Sequence, residues 1–413
     1  MAADLAQSIG RASKWLMSIQ DNGGGWGEYD GAAPNVLNTA ETILALIDSG
    51  ECEAGAHVIQ RGVHYLETAQ LVGKHAPHAA DSGSWGRQIV EEDKPARHLP
   101  DTVRSAFALL ALNCAGKSPQ DASIRHGLDW LLRIVNPDGG WGYAAKHESQ
   151  LFPTCVVLRA MLQLHGAGDD SLKERLAEPI TRGLAHLHQH YRNPDGSFGR
   201  AADLIVPHTL YALRTLLLAR DKNFKVDRDA IGDAIAWVSL QGGGVTRWVN
   251  ELIEIGPKKS GPYTFTHVTP ALYLDTFSGQ ARATDAIARE SMLVMHDNMD
   301  PVSCGMSGRR PVSWATAKAL SGLAAVRGVI PTFPARNLPT GQVEPRHYLL
   351  AFLVLICGSA TAVALADKMS NEYVGVMVLV VLAGLLIYGF ISEQSFINAL
   401  VAQFRRKQKA TGE

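Results

Sequence analysis

The chain has 413 residues, of which 46% are hydrophobic, and its formal net charge is −1 at pH 7. This balance predicts a globular protein with a large apolar core, and it excludes a disordered chain and a basic nucleic-acid-binding protein. The five cysteines are odd in number and show no CxxC spacing, so we expect reduced thiols and a cytosolic location for the folded domain. The first residues read MAAD, without the basic and apolar stretch of a signal sequence.

A glycine-rich turn with an aromatic residue recurs along the first half of the chain. Residues 20–27 read QDNGGGWG, and residues 82–86 read SGSWG. Residues 136–142 read NPDGGWG, and residues 193–199 read NPDGSFG. The aromatic positions are 59, 56 and 57 residues apart, at Trp26, Trp85, Trp141 and Phe198. This nearly constant period predicts a repeated structural unit.

Helical patterns on both sides of each turn define the unit. An amphipathic, charged segment precedes the turn, as in residues 55–70 and 171–190, and indicates an outer helix. A small, almost uniformly apolar segment follows the turn and indicates a buried inner helix. These inner helices open at residues of a capping type, Thr39, Thr102, Thr154 and Thr209.

Two weaker copies of the unit follow the four clear ones. One contains the glycines at 242–244 and the start of a helix at 266–270, and the other contains Gly305 and residues 312–317. Six helix pairs can close on themselves, with six inner helices ringed by six outer ones. We therefore predict an all-α fold, an α/α toroid of six helix pairs over residues 1–328, with an open solenoid as the alternative.

The spacing Trp-Leu-x-x-x-Gln-x-x-x-Gly-x-Trp, from Trp15 to Trp26, resembles the repeat of squalene-hopene cyclases and other triterpene cyclases. The inner-helix pattern is also similar to that of protein prenyltransferase β subunits. The resemblance covers about residues 5–330, and it implies the same α/α toroid.

The C-terminal residues differ in kind from the repeats. Residues 329–346 contain several prolines and predict a linker. Within residues 347–391, two stretches of 19 residues lack any charge, which predicts a transmembrane hairpin. Basic residues lie outside this pair, so both ends, and with them the toroid, are expected on the cytoplasmic side of the inner membrane. Residues 392–413 predict an amphipathic basic tail on the membrane surface, and small residues in the hairpin favour a homo-oligomer.

The acid motif of the cyclases is incomplete in this chain. The resemblance implies an Asp-x-Asp-Asp-Thr-Ala motif that protonates an alkene, but residues 98–103 read HLPDTV. Pro100 occupies the proton-donating position, and only Asp101 and Thr102 match. We therefore expect no cyclisation, keep Asp101 as a weak catalytic candidate, and favour a helix cap as its role.

The zinc site of the prenyltransferases is incomplete too. The resemblance implies an Asp-x-Cys pair and a histidine at the starts of inner helices. Cys155, His208 and His267 lie at such starts, but Pro153 stands where the aspartate should be. We predict no metal and no cofactor, and we keep these three residues as weak metal candidates against local capping or packing.

Basic side chains on the predicted inner helices are the most unusual feature. Because buried helices seldom carry unpaired cations, these residues predict a cavity that binds an anion. The predicted ligand-binding residues are Arg104, Arg159, Arg214, Lys318, His208, His267 and Trp314. The alternative is pairing inside the fold with Glu28, Glu41, Asp101 or Asp203.

These features favour a non-catalytic toroid that binds an anionic or isoprenoid small molecule and couples it to a membrane hairpin. Its partners would be membrane lipid, this ligand and further copies of the chain, with no nucleic acid. The order of domains suits an effector of bacterial defence or stress, by analogy alone. A membrane-bound isoprenoid enzyme with a non-standard active site is one alternative, and a protein-binding scaffold is another.

Overall fold

The computed structural model describes the toroid and not the C-terminal residues. The described residues are 4–73, 76–89, 97–200, 205–241, 244–245, 248, 252–255, 263–266, 268–278, 285–306 and 310–334. The predicted hairpin and basic tail lie outside these ranges, as does most of the predicted linker. No helix within the described ranges is both long and apolar enough to cross a bilayer.

Twelve α-helices in the described residues form six pairs, each with an outer and an inner helix. The outer helices are α1 (Leu5–Ser18), α3 (His57–Thr68), α5 (Ala122–Arg133), α7 (Asp170–Tyr191), α9 (Arg228–Ser239) and α11 (Ala286–Asp297). The inner helices are α2 (Val36–Asp48), α4 (Thr102–Cys114), α6 (Leu151–Ala167), α8 (Ile205–Asp221), α10 (Thr269–Thr276) and α12 (Ser313–Val326). The predicted all-α architecture of six helix pairs is confirmed.

Two short antiparallel β-hairpins precede inner helices and were not predicted. The first pairs β1 (Gly86–Ile89) with β2 (Arg97–Pro100) before α4. The second pairs β3 (Leu252–Ile255) with β4 (Tyr263–Thr266) before α10. Both extend the connection between an outer and an inner helix and leave the helical ring uninterrupted.

The inner helices form a closed ring. Each contacts the next, in the order α2, α4, α6, α8, α10 and α12, and α12 contacts α2. Two hydrogen bonds join the ends: the Ser313 amide donates to the Glu28 carbonyl at 2.8 Å, and the Ser313 hydroxyl donates to the Gly27 carbonyl at 2.6 Å. The fold is therefore a closed toroid and not an open solenoid.

The recurring aromatic turn ties the outer helix to the following inner helix in the first three repeats. The Trp26 amide donates to the Thr39 hydroxyl at 2.9 Å, and its indole N–H donates to the Leu16 carbonyl at 2.7 Å. The same two bonds recur at Trp85, with Ser105 and Leu66, and at Trp141, with Thr154 and Leu131. Phe198 and Met306, which have no indole, keep the amide bond, to Thr209 and Thr316. The turn aromatics are therefore structural.

Glycines on three outer helices make room for the tryptophan rings. Gly62, Gly127 and Gly183 lie against Trp26, Trp85 and Trp141 respectively. A Cβ at Gly127 would lie only 2.5 Å from the Trp85 ring. The glycines thus set the close approach of the outer helix to the turn.

Candidate functional site

A cavity of about 240 Å³ occupies the centre of the ring, and all six inner helices line it. Its charged lining residues are Glu41, Asp48, Arg159, Arg214, Asp275 and Lys318. Polar and apolar residues complete the wall, among them Asn113, Gln163, Ser321, Phe107, Leu110 and Tyr211. A cavity with so many ionisable groups suits a polar ligand better than a hydrocarbon.

Most of the lining residues follow a register counted from the hydroxyl that binds the turn amide. Those hydroxyls belong to Thr39, Ser105, Thr154, Thr209 and Thr316. Two residues later comes a first layer, with Glu41, Phe107, Tyr211 and Lys318. Five residues later comes a second layer, with Leu44, Leu110, Arg159, Arg214 and Ser321. Nine residues later comes a third layer, with Asp48, Cys114 and Gln163. These offsets place all of them on one helical face.

An ion pair in the first layer joins the neighbouring helices α12 and α2. Lys318 Nζ lies 2.8 Å from Glu41 Oε1, and the Glu41 side chain is only 7% exposed. The same Nζ lies 5.7 Å from the centre of the Phe107 ring. Burial opposes the charged form of Lys318, but the Glu41 carboxylate outweighs it, so the pKa of Lys318 is raised. Lys318 therefore carries a positive charge, which the Glu41 carboxylate balances inside the fold.

The second layer holds two arginines, and the described residues provide an ion-pair partner for one of them. Arg214 forms an ion pair with Asp275 of α10. Arg159 makes no ion pair or hydrogen bond with any residue that the structure describes. Burial, reinforced by the charge of Arg214, lowers the pKa of Arg159 to about 10, so its guanidinium still carries a charge at pH 7.

Asp48 ends α2 in the third layer. Its side chain is accessible from the cavity. The surrounding ring still removes part of its water, and this desolvation, together with the charge of Asp275, raises the pKa of Asp48 to about 6. The charges of Arg214 and Arg159 act in the opposite direction. Burial raises the pKa of the nearby Cys114 thiol to about 11, which keeps that group neutral.

Asp101 and Arg104 lie outside the cavity lining. Asp101 is the N-cap of α4: its Oδ1 accepts from the Arg104 amide at 2.8 Å, and its Oδ2 pairs with Arg104 Nη1 at 2.7 Å. Arg104 precedes Ser105, the hydroxyl from which the register is counted. It therefore falls before the first layer, whereas Arg159 and Arg214 fall within the second.

Trp314, His208 and Cys155 also lie away from the cavity lining. Trp314 is half-buried on α12 and packs against the core. The His208 ring lies beside Gly199, and burial lowers its pKa to about 4. Cys155 is fully buried, which raises the pKa of its thiol to about 12. His267 lies outside the described residues, and among the described ones no group of three His, Cys, Asp or Glu could hold a metal ion.

Comparison with known proteins identifies the class of fold. Residues 4–84 and 96–205 match the family described as "Prenyltransferase alpha-alpha toroid domain". The chain thus carries a prenyltransferase-like α/α toroid.

Curated relatives of this chain include squalene–hopene cyclases. A probable squalene–hopene cyclase of Sinorhizobium fredii is 28% identical over 160 residues, which cover 34% of this chain and 22% of the relative. The squalene–hopene cyclase of Zymomonas mobilis is 28% identical over 211 residues, 45% of this chain and 29% of the relative. The chain spans less than a third of the length of either relative.

Solved structures share the fold at low identity. The type II terpene cyclase MstE from Scytonema has a TM-score of 0.51 and 14% identity, covering 79% of this chain and 99% of that one. The GH76A alpha-1,6-mannanase from Salegentibacter has a TM-score of 0.54 and 12% identity, covering 79% and 100%. Because a cyclase and a mannanase match about equally well, this likeness concerns the fold alone.

Proposed function

We propose that the toroid binds a small molecule with an anionic group in its central cavity, and that Arg159 contacts this group. The observation that carries the proposal is the isolation of Arg159: Lys318 and Arg214 each pair with a carboxylate, and Arg159 pairs with none of the described residues. A guanidinium offers a planar fork of donors that fits a carboxylate or a phosphate. A ligand anion would supply the partner that the described residues do not.

The cavity disfavours the enzymatic alternative, a membrane-bound isoprenoid enzyme. A polyprene chain would remove water from six ionisable side chains without offering hydrogen bonds in exchange, which is costly. Pro100 stands at the donor position of the cyclase motif, and both oxygens of Asp101 are engaged by Arg104. We therefore favour binding without cyclisation. We rank the protein-binding scaffold below it, because a partner protein on the rim of the toroid would not use the charged residues of the central cavity.

Replacing Arg159 by alanine should weaken anion binding and leave the fold intact. Isothermal titration calorimetry of the purified full-length chain with inorganic phosphate and with butyrate should show binding that weakens at least about tenfold in Arg159→Ala, the usual scale for a charge-assisted hydrogen bond. Its stability should change little, because no described carboxylate loses a partner.

Two control variants separate binding from folding. Arg214→Ala leaves Asp275 unpaired and should cost about 2 kcal/mol of unfolding free energy, below the range for fully buried pairs because both side chains remain about one-fifth exposed. Arg175→Ala removes a pair with Asp129 on outer helices, outside the cavity lining, and should alter neither property appreciably. Equal binding by wild type and Arg159→Ala would refute the proposal.

We further propose that residues 347–391 form a transmembrane hairpin and that ligand binding acts on an oligomer assembled through it. In cell fractionation, the full-length chain should remain with the membranes after a carbonate wash. A chain ending at Ala335, where the toroid unit ends, should be recovered in the soluble fraction. Recovery of the full-length chain in the soluble fraction would contradict the hairpin. The proposed role in bacterial defence or stress rests on the order of these segments.

A further inference from the structure

Asp48 is a second charged side chain of the cavity for which the described residues offer no partner. It makes no ion pair or hydrogen bond with any described residue, although it lies at the cavity wall. The cavity therefore presents a cation, Arg159, and an anion, Asp48, that the described residues leave unpaired.

The two charges face a common space without touching. Asp48 lies in the third layer on α2, and Arg159 lies in the second layer on α6, with α4 between them in the ring. Four residues of helix rise place the third layer about 6 Å beyond the second along the helix axis. Each charge shifts the pKa of the other, yet their side chains do not form an ion pair. A gap of this kind can be bridged by a small molecule.

We propose, building on the proposed function, that the ligand is a small zwitterion with an anionic group at Arg159 and a protonated amine at Asp48. An anion without an amine would leave the Asp48 carboxylate unpaired near a second negative charge, which is unfavourable. The amides of Gln163 and Asn113 and the Ser321 hydroxyl can satisfy further polar atoms. The volume of about 240 Å³ restricts the ligand to a short chain between its two charged groups.

Matched ligands test this inference. Calorimetry on the full-length chain would compare butyrate with 4-aminobutyrate, and ethyl phosphate with phosphoethanolamine. In at least one pair the amine should raise the affinity about tenfold, as expected for a charged hydrogen bond. Asp48→Asn should remove this gain and leave the affinity for the amine-free member unchanged or higher. Asp30→Asn, on an exposed turn, should keep the gain.

A pH series gives a readout that does not depend on a variant. With the carboxylate pair, the gain from the amine should disappear as the pH falls through about 6, where Asp48 becomes protonated. The groups that face Asp48 are Asp275, Arg214, Arg159 and Cys114. Arg159, with a pKa of about 10, and Cys114, with a pKa of about 11, keep their charge states between pH 5 and 8.

The outcomes distinguish the two proposals. If the amine-free anions bind through Arg159 and the amine adds nothing in either pair, the zwitterion inference is overturned and the proposed function stands. If no member of either pair binds, both fail. Saturable binding of K⁺ or Mg²⁺ that Asp48→Asn abolishes, with no gain from an amine, would assign Asp48 to a metal ion and overturn the inference.

Discussion

Replacing Lys318 by alanine should lower the unfolding free energy by about 3 kcal/mol, because it leaves the Glu41 carboxylate buried without its partner. We take the lower end of the range for broken buried pairs, since the Lys318 side chain is still 20% exposed. Urea denaturation with a linear extrapolation would measure the loss. Because folding raises the pKa of Lys318, the contribution of its charge is complete below the ordinary value of 10.5 and disappears only above it. The loss should thus be equal at pH 7 and pH 8.

A double variant tests whether the loss comes from the pair. Glu41→Gln combined with Lys318→Met removes both charges and keeps similar volumes, so it should be considerably more stable than Lys318→Ala. The single variants Glu41→Gln and Lys318→Met complete a double-mutant cycle. The interaction free energy from this cycle should be at least about 1 kcal/mol, as is common for contacting residues. Additive effects of the two single changes would contradict a stabilising pair.

Two glycine-to-alanine changes on outer helices should have opposite signs. In Gly127→Ala the new Cβ would meet the buried Trp85 ring at 2.5 Å and Leu109 at 3.0 Å, which should destabilise the protein by about 2 kcal/mol. In Gly232→Ala nothing lies within 4 Å of the new Cβ, so the better helix propensity of alanine should stabilise the protein by about 0.5 kcal/mol. Melting temperatures of the two variants and the wild type would show the contrast. Equal shifts would mean that the tryptophan–glycine contact does not limit the approach of the helices.

The ring of helix pairs could be predicted because its determinants are local. Each turn carries its own helix stop, its aromatic residue and the start of the next helix within a few residues, as around Trp141 and Thr154. The hairpins β1–β2 and β3–β4 could not be predicted in the same way. Their strands have four residues each, too few for an alternating pattern to stand out, and the pairing depends on residues beyond the strand itself.

The cations of the cavity were easier to predict than its anions. Arg159 and Arg214 interrupt apolar helices, which is a strong local signal. Asp48 and Asp275 lie in the last turns of their helices, at the end of the apolar run, so they do not interrupt its pattern as the arginines do. The spacing of seven between Glu41 and Asp48 places them on one helical face, and that signal was available. Arg104 falls one residue before Ser105, whose hydroxyl binds the turn amide, and this register cannot be read from a sequence in which Thr102 marks the start of the helix.

The bond that closes the ring has a consequence for the way the protein is made. Ser313 and Gly27 are separated by 286 positions, so their contact must wait until nearly the whole toroid has left the ribosome. Until then α2 lacks its neighbour α12, and the nascent chain exposes an apolar flank. Glu41 also lacks Lys318 during this interval. The last helix of the toroid to be synthesised, α12, therefore covers the first inner helix, neutralises its buried carboxylate and completes the wall of the central cavity.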